Sequence, residues 1–146
     1  MAIEAFVAAA RRFVRFVEDS EALSREAFVR DAQSSMLDLY TTAMLLDPGQ
    51  PTDDPEPPSS MTTDEWWNLF QRLQRQLEPL DSVVDGSLSD DIADVYRDLR
   101  NGFLSYDSGD VDEAVWSWRT EFESHWGRHA AHAIYVLQVL RSEHVS

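Results

Sequence analysis

Apolar residues recur along the chain at steps of three and four, the period of helices with one buried face. Phe6, Val7, Phe13, Val14 and Val17 predict an amphipathic helix over residues 2–18, with arginines at its border, ending at Asp19 and Ser20. Ser24 is placed to cap a second helix through Phe28, Ala32, Met36, Leu39, Ala43 and Leu46, which Pro48 and Gly49 stop. Thr62 and Glu65 have the spacing of a capping box and open a third helix through Trp66, Trp67, Phe70, Leu73 and Leu77, ending before Pro79. Ser89 is read as the cap of a fourth helix with the stripe Ile92, Val95, Leu99 and Phe103, and Gly109 as its left-handed stop. Asp110 and Glu113 open the last helix. Its stripe runs from Val111 through Val115, Trp118, Phe122, Trp126 and Ala133 to Leu140, which predicts about 30 residues and about 45 Å, with a kink at Gly127. No segment alternates as a strand would. The expected fold is an all-α antiparallel bundle of about five helices.

Between the second and third helices, residues 47–60 (DPGQPTDDPEPPSS) hold five of the six prolines and almost nothing apolar, so a proline-rich acidic surface loop is expected there. At 146 residues the chain has the size of a single domain, 1–146, with the loop inside it. The arginines of the first helix follow its apolar residues instead of preceding them, which argues against a signal peptide. No apolar run approaches the roughly 18 residues of a membrane span, so a soluble, cytoplasmic protein is expected.

Charge narrows the partners. The net charge is −15, yet residues 1–30 carry five arginines against five acids, so the excess lies beyond the first helix. From Asp81 to Glu113 ten acids face only Arg97 and Arg100, which makes nucleic acid an unfavourable partner. The chain has no cysteine and no lysine, so disulfides, thiolate metal sites, cysteine nucleophiles and lysine Schiff bases are excluded. There is no phosphate-binding glycine loop, nucleophile elbow or dinucleotide fingerprint. The acids from Asp107 to Glu113 lack the ligand register of a calcium loop and read as a helix cap.

Two stripes could carry chemistry. His125, His129 and His132 stand at i, i+4 and i+7 on the last helix, near one face. Asp91, Asp94 and Asp98 make a carboxylate stripe on the fourth. Histidines one turn apart, joined by carboxylates of a facing helix, can chelate a divalent metal; His125, His129, Asp94 and Asp98 are the candidate ligands. The structural alternative has His125 and His129 hydrogen-bonded to acids, His132 exposed, Asp90 and Asp91 serving as helix-terminal acids, and Gly127 admitting a neighbouring helix. Inward-facing aspartates would need Arg97, Arg100, protonated histidines or a cation beside them.

The strings SLSDDIADVYRDLRNGF (87–103) and AVWSWRTEFESHWGRHAAHAI (114–134) together resemble a bacterial family of small all-helical proteins known only as a domain of unknown function. Its pattern falls on Asp90, Asp91, Asp94, Tyr96, Asp98, Trp118, His125, Trp126, Gly127 and His129, and does not include His132. The resemblance implies the helical fold and no particular activity. The candidate polar site is therefore Asp91, Asp94, Tyr96, Asp98, His125, Trp126 and His129, with Tyr40 a further hydrogen-bonding neighbour.

Two functions are weighed. The first is a non-catalytic interaction module without a cofactor, using Trp66 and Trp67 to contact an unidentified protein partner, since adjacent tryptophans cannot share one buried stripe. The alternative is a metal-binding or acid-base site at the histidine and aspartate stripes. No oligomeric state follows from the sequence.

Overall fold

The computed structural model describes residues 2–52, 58–78 and 87–144. Its helices are α1 (Ala2–Asp19), α2 (Arg25–Met44), α3 (Thr63–Leu77), α4 (Leu88–Asp107), α5 (Val111–Glu121) and α6 (Gly127–His144), and no strand occurs among the described residues. A π-helical turn, Phe122–Trp126, joins α5 to α6, so the two form one irregular helix and the described residues make a bundle of five.

The helix starts follow local chemistry. Ser24 accepts from the Ala27 amide, Thr62 and Glu65 form a reciprocal capping box, and Asp110 accepts from the Glu113 amide. Each such cap is worth about 1 kcal/mol. α4 begins earlier than Ser89 implies: Ser87 is the cap, its hydroxyl accepting from the Asp90 amide at 3.0 Å, while Ser89 is buried in the first turn. Both serines precede the apolar stripe, and Leu88 between them is buried. Gly109, at φ 99°, ends α4 as expected.

Neighbouring helices run antiparallel. A 3-10 turn, Ser20–Ala22, folds α2 back on α1, and Phe16 meets Phe28 with ring centroids 5.1 Å apart. α2 lies along the last helix, with Gln33 bonded to Gln138 and the Arg119 guanidinium donating to the Leu46 carbonyl. α4 lies against α1, α3 and the last helix. α3 is tied in by Arg72, which donates to the Val17 carbonyl and the Ser20 hydroxyl at the end of α1. Of the expected proline-rich loop, residues 53–57 lie outside the described residues; Ser60 at its end donates its amide to Asn101 on α4.

Trp118 and Trp126 are fully buried at the centre. Trp118 packs on Phe6 and Phe103, and its indole nitrogen donates to the Leu99 carbonyl at 3.0 Å. That fit depends on Gly102, where a Cβ would fall 2.0 Å from the indole nitrogen. The irregularity expected at Gly127 is the π turn preceding it. At Gly127 the tightest approach is from its own chain: its amide donates to the Phe122 carbonyl, and a Cβ would lie 2.1 Å from that oxygen. The pressure on α4 from Trp118 and the wide turn around Gly127 together set how the last helix faces the aspartates.

Candidate functional site

Asp91, Asp94 and Asp98 on α4 are each more than nine-tenths buried and face the last helix. Three carboxylates withdrawn from water within two turns repel one another and lose hydration, so they require partners. The histidine stripe supplies them. His125 Nδ1 lies 2.5 Å from Asp98 Oδ2, and His129 Nδ1 lies 2.8 Å from Asp91 Oδ1. The opposite nitrogens approach a third carboxylate: Nε2 of His129 is 3.0 Å and Nε2 of His125 3.8 Å from Asp94 Oδ2. The rings are 5.0 Å apart, nearly edge to face.

Arg97 closes the flank. Its guanidinium donates to Asp94 Oδ1 at 2.8 Å, has Nε 3.7 Å from Asp98 Oδ1, and lies over the Trp66 ring. Trp66 in turn stacks on Phe70, so α3 supports the arginine from behind. His132 is also drawn in, pairing through Nδ1 with the second oxygen of Asp91. The expectation of an exposed, uninvolved His132 is corrected, whereas Asp91 stands in the first turn of α4 as expected and in addition faces the histidines. Burial of Asp91 turns it toward the histidines, and it cannot be left half-satisfied there.

Electrostatics follow from these contacts. Hydrogen bonds to Asp91 and Asp94 hold the His129 pKa up at about 10 against the opposing effect of burial. Burial pushes Asp94 up, but the His129 hydrogen bond and the Arg97 and histidine charges outweigh it and leave Asp94 below its ordinary value. Asp90, at the edge and 3.9 Å from His129 Nδ1, is raised by burial and by the Asp94 charge. Glu121, in the turn before His125, is raised to about 7, first by burial and then by the Asp98 charge, and its Oε2 is buried with no hydrogen-bond partner among the described residues.

Not every residue grouped with the histidines reaches them. Tyr96 faces α1, donating to Glu18 at 3.0 Å and accepting from Arg100. Trp126 is in the core, where its indole donates to the Trp118 carbonyl. Tyr40 packs its ring on Phe122. Trp66 is half-buried behind Arg97, while Trp67 is 50% exposed. Asp90 and Glu121 also border the site, and each stands four residues before one of its members, Asp94 and His125, the spacing that could have placed them there.

Chemically, the site offers two sets of potential cation ligands: one oxygen of Asp94 with one nitrogen each of His125 and His129, and Asp90 and Asp91 with His129, the atoms of each set lying within 4.8 Å of one another. The first is a two-imidazole, one-carboxylate set, a donor combination suited to divalent first-row metals. It is open to solvent on the His125 side, whose side chain is 41% exposed.

Comparison with known proteins gives the fold and the family. No curated protein matches the chain. The crystal structure of protein BF1032 from Bacteroides fragilis is similar with a TM-score of 0.89 at 22% identity, over 96% of this chain and 92% of that one, a likeness that establishes the fold alone. Among the described residues no helix is long and apolar enough to cross a membrane. The model of the domain of unknown function DUF5063 matches residues 1–143, nearly the whole of a chain carrying the paired aspartate and histidine strings, and the protein belongs to that family.

Proposed function

We propose that this bundle binds a divalent first-row metal ion through His125 Nε2, His129 Nε2 and Asp94. The observation that carries the reading is the orientation of the rings. Each histidine gives its Nδ1 to a buried carboxylate, Asp98 at 2.5 Å and Asp91 at 2.8 Å, which leaves both Nε2 atoms facing the Asp94 carboxylate. Carboxylates that hold Nδ1–H fix the tautomer in which Nε2 is the ligand and raise its basicity.

Charge supports the same reading. Asp90, Asp91, Asp94, Asp98 and Glu121 surround the site, with Arg97 its only guanidinium among the described contacts. A proton on His129 offsets part of this in the metal-free protein, and a divalent ion would replace that proton and bring a larger charge. Three protein ligands leave coordination positions for water or a substrate on the open His125 side.

The test is elemental analysis of protein purified without a metal-affinity tag, followed by calorimetric titration with Zn²⁺ and Mn²⁺ and melting curves with and without chelator. Near-stoichiometric binding, a lower melting temperature on chelation and loss of binding in His129→Ala are expected. Metal-free protein that takes up neither ion and melts identically with chelator would overturn the proposal.

Trp67 supports a second reading as a protein-interaction surface. Its ring stands half out of the surface, braced edge-on by Trp66 and Phe70, a rigid aromatic anchor of the kind that dominates binding interfaces. A partner captured through this face should be lost in Trp67→Ala while metal affinity is unchanged; retention of the partner removes the reading.

A further inference from the structure

On the side of α4 facing away from the histidines, α1 and α4 leave a cleft of about 270 Å³. Val14 and Phe103 give it an apolar lining, and Arg11, Arg15 and Arg100 bring three guanidiniums to its rim. Such a concentration stands out in a chain of net charge −15. The three arginines differ in what they are doing. Arg11 is committed: it donates to Asp107 at 2.9 Å and lies 4.5 Å over the Phe103 ring. Arg100 donates to the Tyr96 hydroxyl at 3.3 Å and lies over that ring, but forms no ion pair among the described residues. Arg15 has neither a hydrogen bond nor an ion pair among them.

Glu18, one turn along from Arg15, would be the natural partner of either arginine. Instead its carboxylate accepts from the Tyr96 hydroxyl at 3.0 Å. The phenol thus orients both Arg100 and Glu18 while leaving the guanidinium donors of Arg100 largely unspent. Two guanidiniums outside any close ion pair among the described residues, set beside an apolar lining, are the donor arrangement for a planar carboxylate attached to an apolar body.

We propose that this cleft is a binding site for a small organic monocarboxylate, held by Arg15 and Arg100 with its apolar part against Val14 and Phe103. The volume lies below the roughly 300–1,000 Å³ of sites for drug-sized ligands, which sets the ligand near the size of an amino acid or a simple aromatic acid. Glu18 and Asp107 on the same rim disfavour a second negative charge, so inorganic phosphate should bind more weakly than a monocarboxylate of similar reach. The site is independent of the metal proposal, because its residues lie on the face of α4 opposite Asp94 and Asp98.

The experiment is a titration of the full-length, isotopically labelled protein followed by NMR, with benzoate as the probe, benzyl alcohol as its uncharged counterpart and phosphate as a bare anion. Benzoate should give saturable shifts at Arg15, Arg100 and Phe103 that weaken with added salt. Arg15→Ala, which removes no folded-state bond, should lower benzoate affinity about tenfold, the loss of one charge-assisted contact. Arg100→Lys keeps the charge but loses the fork and should weaken binding as well. Equal response to benzyl alcohol, equal or tighter binding of phosphate, or unchanged affinity in Arg15→Ala would overturn the proposal.

Discussion

Replacing Gly127 by alanine sets two physical effects against each other. Gly127 has φ −64° and ψ −35°, ordinary helical values, so intrinsic propensity predicts a gain of roughly 1 kcal/mol. The structure predicts the opposite sign. A Cβ at 127 would stand 2.1 Å from the Phe122 carbonyl oxygen and 2.8 Å from Phe122 Cδ1. Close carbon-to-oxygen contacts settle at about 3.3 Å, so something must move by about 1 Å. The oxygen cannot swing aside freely, because it accepts the Gly127 amide in the π turn. Overpacking costs about 1–3 kcal/mol, and a weakened hydrogen bond about 1 kcal/mol more. After the propensity gain, Gly127→Ala should destabilise by about 1–3 kcal/mol. His125 lies two residues away in the same turn, so its alignment on Asp98 and Asp94 should degrade too, with metal affinity falling about tenfold or more. Urea unfolding of the metal-free protein gives the first quantity and calorimetric titration the second. A variant as stable as the parent, or about 1 kcal/mol more stable, would show that the turn has room for a methyl group and refute the reasoning.

Three further outcomes are expected. Gly102→Ala should destabilise by about 3 kcal/mol and disturb the near-ultraviolet circular dichroism of tryptophan, since the added carbon would overlap the Trp118 indole and break its bond to Leu99; an unchanged unfolding midpoint would contradict this. Asp98→Asn removes the charge behind His125 without touching a ligand atom, so metal affinity should drop about 10–100-fold while far-ultraviolet circular dichroism is retained; equal affinity would sink the assigned role of Asp98. In metal-free protein the folded-state pKa of His129, about 10, stands above its ordinary value of 6.5, so its contribution to stability is complete below about pH 6.5 and is lost as pH rises through about 10. Urea midpoints should therefore fall across that window and fall less in His129→Gln; identical slopes in the two proteins would rule out the ion pair as the cause.

The helical class, most helix starts and most of the buried stripe could be read from the chain, because caps and periodicity act over one or two turns; the start of α4, at Ser87 instead of Ser89, was the exception. Ser24, Thr62 with Glu65, Asp110 and Gly109 all sit where those short-range rules place them. The aspartate and histidine stripes were visible for the same reason, since residues at i, i+3, i+4 and i+7 share a helix face whatever lies opposite. What lies opposite is set by distant packing. Trp118 seated over Gly102 and the π turn closed at Gly127 determine that His129 falls between Asp91 and Asp94, that His132 reaches Asp91, and that Tyr96 turns to α1 instead. Spacing along one helix defines a face but not its partner, and a buried carboxylate takes its character from the charges packed against it. The chain by itself determined which groups could act together, and only the tertiary structure decided which of them meet.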